Sequence, residues 1–168
     1  MRSLPSLVVL VSLWALGMVA KADVYADVNA LVQSSQWDKA QDLAQTRLKT
    51  APTDPQMRLL LSHIQTGQGQ TLAAIETLRA LTASFPELPE PHNNLAALLV
   101  RENRHEEALI ALQAAIQARP DYALALENLG DLHLALAARA FAQALNASPQ
   151  QSRVQSKKLA TEQLLQTP

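Results

Sequence analysis

The side chains best suited to bind a metal ion or move a proton in this 168-residue chain are four histidines, His63, His92, His105 and His133. A helical zinc site of the H-E-x-x-H kind needs two imidazoles one helical turn apart, so that both leave one face of a helix. His105 opens the stretch HEEAL, but Leu109 stands where the second ligand would be. The other three are scattered, and packing or surface roles are expected of all four. Nucleophilic chemistry has no better footing. No serine sits in a G-x-S-x-G elbow, no glycine-rich phosphate loop occurs, and GQG at 67–69 reads as a turn between helices. Glu106 and Glu107, near Arg101 and Arg104, read as a solvated helix start where the macrodipole favours acid. No catalytic residue, cofactor or metal ligand is expected.

Amide chemistry is more promising. HNNLAALL at 92–99 puts Asn93 and Asn94 at the head of an apolar run. Asparagine is a mediocre helix former, because its amide competes for nearby backbone groups. Further along comes LENLGDLH at 126–133, where Asn128 stands as far beyond Asn94 as Leu129 stands beyond Leu95. A side-chain amide donates and accepts at once, which is what an extended peptide unit requires of a partner. The alternative is that Asn94 and Asn128 cap or bridge neighbouring helices.

The elements that carry these amides are legible from composition and punctuation. Apolar residues make up 48% of the chain, aromatics only 4%, and there are four glycines, a balance that favours helices over strands. Pro52, Pro86 and Pro120 recur at one fixed interval, and the same interval separates Asn94 from Asn128. Proline ends helices, so equal spacing implies equal structural units. Ahead of Pro120 lie Leu95, Ala96, Leu99, Ala108, Leu112 and Ala115; ahead of Pro86 lie Leu61, Ser62, Ala74, Leu78 and Leu81. The first unit keeps QWDKA, with Trp37 and Ala40, and the fourth closes on Phe141, Ala144 and Pro149.

These offsets resemble the tetratricopeptide repeat, in which large and small residues alternate so that two antiparallel helices pack closely and stack on the next pair. The resemblance implies an all-α, helical-hairpin solenoid of about three and a half repeats over residues 23–149, with repeats at 23–52, 55–86, 89–120 and 123–149. In that family an aromatic at the place of Trp37 wedges between helices, and the residue at Ala40 must be small. Pro149 follows Pro120 at less than the full interval, so the last repeat is truncated and its two helices are expected to be fused or joined by a very tight turn. Gly130 is expected to be the small packing residue of its first helix. Residues 150–168 read as a C-terminal capping helix with Val154, Ala160, Leu164 and Leu165 as its weak apolar stripe.

Residues 1–22 begin with Arg2, run through an apolar stretch and close on Ala20, Lys21 and Ala22. That is the pattern of a secretory signal peptide cut to leave Asp23 as the first residue. Its loss leaves 12 basic against 15 acidic residues, a net charge of −3, with no clustered basic face for nucleic acid. The absence of cysteine removes disulfides and a lipid-anchoring thiol. The chain resembles the small exported tetratricopeptide proteins of Gram-negative bacteria, which implies a periplasmic location with no membrane attachment after cleavage.

In this family the first helix of each pair lines a concave groove. The resemblance assigns Asn93, Asn94 and Ala97 to that groove from the third repeat, Glu127, Asn128 and Asp131 from the fourth, Leu59 and His63 from the second, and Tyr25 and Asn29 from the first. It implies a non-enzymatic adaptor for a peptide or protein segment. Members that clamp a terminal carboxylate use lysine and arginine, whereas Asn93, Glu127 and Glu90 stand at or near those places here, so such a ligand is disfavoured. A self-associating scaffold of an envelope complex is the alternative.

Overall fold

A computed structural model describes residues 24–166, and among these every regular element is a helix. In chain order they are α1 (residues 24–33), α2 (Trp37–Thr50), α3 (Pro55–Gly67), α4 (Thr71–Ser84), α5 (Pro89–Arg101), α6 (His105–Ala118), α7 (Ala123–Ala147) and α8 (Ser152–Leu164). The expected signal segment, residues 1–22, lies outside the described residues.

Two kinds of turn recur with the repeat. After α1, α3 and α5 the chain passes through one residue in the left-handed region: Ser35 (φ 55°), Gly69 (φ 74°) and Asn103 (φ 58°). In each case the next N–H reaches back into the finished helix, from Gln36 to Leu31 O, Gln70 to Gln65 O and Arg104 to Leu99 O, at 2.9, 2.8 and 2.9 Å. These bonds satisfy carbonyls that a helix end leaves open. The second kind holds Pro52, Pro86 and Pro120, each in second place of a short turn. Asp54 N–H closes the first on Ala51 O, Leu88 N–H the next on Phe85 O, and Tyr122 N–H the third on Arg119 O, at 3.2, 3.2 and 3.1 Å. Proline suits that place because its φ is already set. The new helices α3 and α5 then open on Pro55 and Pro89, where a missing N–H costs nothing.

Two compact units divide within α4, the first closing at Thr77 and the second opening at Leu78. In the first, Val28, Ala40, Ala44, Met57, Leu60 and Ile64 form a buried cluster flanked by Val24, Tyr25, Leu31 and Leu43. Trp37 lies against the backbone of Gly67: a Cβ added there would come within 2.6 Å of the indole. The glycine of GQG that reads as a turn residue is therefore also a seat for the aromatic, a contact between separate helices that the local sequence does not display. Asp54 fastens the start of α3. Its side chain accepts from Met57 N–H (3.1 Å), from the Tyr25 hydroxyl (2.6 Å) and from Arg47 Nε (3.3 Å). Burial alone would raise the Asp54 carboxyl, but these three donors outweigh it and hold its pKa below the ordinary 3.8.

In the second unit α5 and α6 form an antiparallel hairpin, α7 packs beside both, and α8 folds back on α7. Leu81, Leu99, Ala108, Leu112, Ala115 and Leu132 are among its deepest apolar side chains. The fourth repeat has no internal turn. Ala137, which takes the repeat position of Ser35, Gly69 and Asn103, lies inside the 25-residue helix α7. The expected packing role of Gly130 is corrected: a Cβ there would meet nothing within 4 Å. The turn that would bring a second helix back against Gly130 is missing, so nothing approaches closely enough to require a glycine.

Candidate protein-interaction groove

The helix pair α5 and α7 carries most of the amides and acids singled out by sequence. Asn93 is 2% exposed, and its Oδ1 accepts from Asn128 Nδ2 at 2.8 Å. A buried amide needs such a partner, and this one ties α5 to α7. Asn93, expected on the open groove, is thus turned into the interface between helices. Neighbouring residues of a helix point about 100° apart, so Asn93 and Asn94 cannot both face the same way. Asn94 and Asn128 are half-buried, while Ala97, Glu127 and Asp131 are exposed.

Beside the Asn93–Asn128 bond lies a cavity of about 300 Å³ lined by Ala96, Ala97 and Val100 of α5, Leu112 of α6, Asn128, Asp131, Leu132 and Ala135 of α7, and Leu165 just past α8. It brings together Ala97, Asn128 and Asp131 of the predicted set; Asn94 and Glu127 lie on the same helices but not in its lining. Leu165 is a wall that sequence reasoning did not place there, since it arrives from a helix that folds back along the second half of α7. In the first unit Leu59 is half-buried and His63 exposed, one turn apart on α3. Although His63 reaches solvent, the protein around its ring pushes the imidazole below its usual pKa. The Tyr25 hydroxyl, expected to face the groove, is committed to Asp54, and Asn29 is exposed.

Several charged groups elsewhere on the second unit are paired. Glu107 accepts from Arg104 at 2.7 Å on both oxygens and from Arg79 at 2.6 Å, and these partners hold its carboxyl below the usual range. Glu90, near the place of a carboxylate clamp, instead accepts from Arg119 at 2.8 Å, whose guanidinium also lies 5.1 Å from the Tyr122 ring. Of the remaining histidines, His92 is 9% exposed with Nε2 3.1 Å from Pro86 O, His105 is half-buried and His133 exposed. Among the described residues no three His, Asp or Glu side chains gather to hold a metal, and no helix is long and apolar enough to cross a membrane.

Helical hairpins repeated at a constant period, with small residues buried at the matched positions Ala40, Ala74 and Ala108, define a helical-repeat scaffold. Residues 63–123 match the family model for the tetratricopeptide repeat. The chain is similar in fold to the crystal structure of MamA, at 20% identity and a TM-score of 0.62, over 84% of this chain and 80% of that one. It is also similar to the Yersinia enterocolitica type III secretion chaperone SycD in complex with a peptide of the translocator YopD, at 17% identity and a TM-score of 0.57, over 85% and 92% of the two chains. A third similar fold is the first repeat domain of Spaghetti (RPAP3) bound to an HSP90 peptide, at 16% identity and a TM-score of 0.63, over 69% and 92%. No curated protein matches the chain in sequence.

Proposed function

We propose that this protein is a non-enzymatic adaptor that takes a peptide or protein segment against the face of α5 and α7, with Asn94, Glu127, Asn128 and Asp131 as its polar contacts. Leu59 and His63, on α3 of the first unit, are a separate candidate contact of that unit. The observation that carries the reading is the cavity that gathers Ala97, Asn128 and Asp131 from two helices. Two of the similar folds hold peptides, which supports it as an analogy of scaffold. Acidic residues at the rim favour a basic or neutral segment over one recognised by its terminal carboxylate. The reading includes export to the periplasm after removal of residues 1–22, and intact mass of periplasmic material beginning at Asp23 tests that part.

Affinity capture of the mature chain from a periplasmic extract identifies the partner, and two substitutions then test the face. Asn128→Ala is unsuitable, because it strips the buried Asn93 of its partner at a cost of about 1–3 kcal/mol in stability. Asn94→Ala and Asp131→Lys are the informative changes. The double variant is expected to keep the helical circular-dichroism spectrum of the parent and to bind the captured partner on the order of tenfold more weakly. Unchanged affinity would remove this face from the interaction. Exposed Leu124 and Leu126, each 46% accessible at the start of α7, favour self-association as the second reading, which the mass of the mature protein in solution decides.

A further inference from the structure

We propose that the cavity beside Asn128 is a pocket for one aliphatic side chain, of leucine or methionine size, from a partner segment that carries lysine or arginine next to it. This rests on the adaptor reading and adds the chemistry of what is bound.

Lining and charge point to that occupant, and the size of the cavity admits it. The cavity measures about 300 Å³, twice the ~150 Å³ of an apolar cavity that admits a benzene ring. Seven of its nine lining residues are aliphatic: Ala96, Ala97, Val100, Leu112, Leu132, Ala135 and Leu165. The space exists because three of them are alanines at places where a longer side chain would fill it. Binding there removes apolar surface from water on both partners, which is the main source of affinity in such a pocket.

The two polar residues set direction and sign. Asn128 uses one N–H on Asn93, and its carbonyl and second N–H are left for a peptide backbone. Asp131 is exposed, one helical turn along from Asn128, and is the single charged residue of the lining. No lysine or arginine lines the cavity, so a neighbouring cation on the ligand finds an attractive partner and a carboxylate finds a repulsive one. An exposed pair of this kind discriminates by roughly two- to fivefold rather than by orders of magnitude.

The probes are the capped dipeptides N-acetyl-Leu-Lys-methylamide, N-acetyl-Leu-Glu-methylamide and N-acetyl-Ser-Lys-methylamide, titrated at millimolar concentration into the full mature chain labelled with ¹⁵N. Saturable amide shifts at Ala96, Ala97, Leu132 and Ala135 are expected with Leu-Lys, about two- to fivefold weaker binding with Leu-Glu, and none with Ser-Lys. Asp131→Lys should reverse the Lys over Glu preference. Ala135→Leu should abolish the shifts by filling the space, with Ala97→Leu, at an exposed position, as the second variant should the first fail to fold. Absence of saturable shifts at the cavity, indifference to Ala135→Leu and Ala97→Leu, or a preference for glutamate would each overturn the pocket. Should a captured partner bind the parent and both leucine variants alike, the adaptor reading stands and the pocket alone falls.

Discussion

Helices α5 and α7 start alike and end differently. Each opens a repeat, and each carries a small residue at the same repeat position, Ala96 in one and Gly130 in the other. After α5 the chain turns at Asn103 and α6 packs back; α7 runs on through Ala137. The consequence is that Ala96 is 1% exposed while the space around Gly130 is open. A small residue at this place is therefore a demand made by the repeat's own returning helix, and it lapses where that helix does not turn back.

Substitutions at matched positions can break or sharpen this contrast. The largest effect is expected from Ala137→Pro, which removes a helical hydrogen bond from the middle of α7 and should destabilise the protein by about 3 kcal/mol or more in urea unfolding. A loss under about 1 kcal/mol, well short of that helix-interior cost, would mean that α7 already behaves as two helices. Next comes the reciprocal exchange at the small-residue position. Ala96→Gly should cost about 1–2 kcal/mol through helix propensity and a lost buried methyl, whereas Gly130→Ala should gain about 1 kcal/mol, because its new Cβ meets nothing. The turn position offers a smaller test of opposite signs. Ser35→Gly relieves a left-handed residue and should gain about 0.5–1 kcal/mol, while Ala137→Gly should lose a similar amount.

The smallest expected effect concerns how helices begin. Asp54 caps α3 with its side chain, whereas α5 and α7 open without such a bond. Its pKa is depressed in the folded state, so the stabilisation it brings is present above the ordinary aspartate value of 3.8 and is lost as pH falls through the folded value. Urea midpoints measured from neutral to acid pH should show that loss, and Asp54→Asn should flatten it.

The repeat period, the helix content and the missing turn of the fourth repeat were all legible, because prolines and small residues mark backbone breaks and close approaches in one dimension. Facing was harder to read. Of the adjacent Asn93 and Asn94 the sequence cannot say which enters the helix interface, since the resemblance places both on one side and one residue of rotation separates them. Gly130 matched a pattern whose physical cause, the returning helix, had been deleted downstream. The seat of Trp37 on Gly67, the Tyr25–Asp54–Arg47 cluster and Leu165 in the cavity wall all depend on residues far apart in sequence, and no local signal announces them.

The unbroken α7 also has a mechanical side. Its first half meets the cavity through Asn128, Asp131 and Leu132, and its second half meets α8, where Lys157 lies 5.8 Å from the Phe141 ring. At about 1.5 Å per residue the helix is a rod of roughly 38 Å, so a tilt of about 5° at one end moves the other by roughly 3 Å. A hairpin would absorb such a tilt in its turn; a rod transmits it. A fluorophore attached near Ala147, at the far end of α7, would then act as the pointer of a lever whose short arm lies in the cavity.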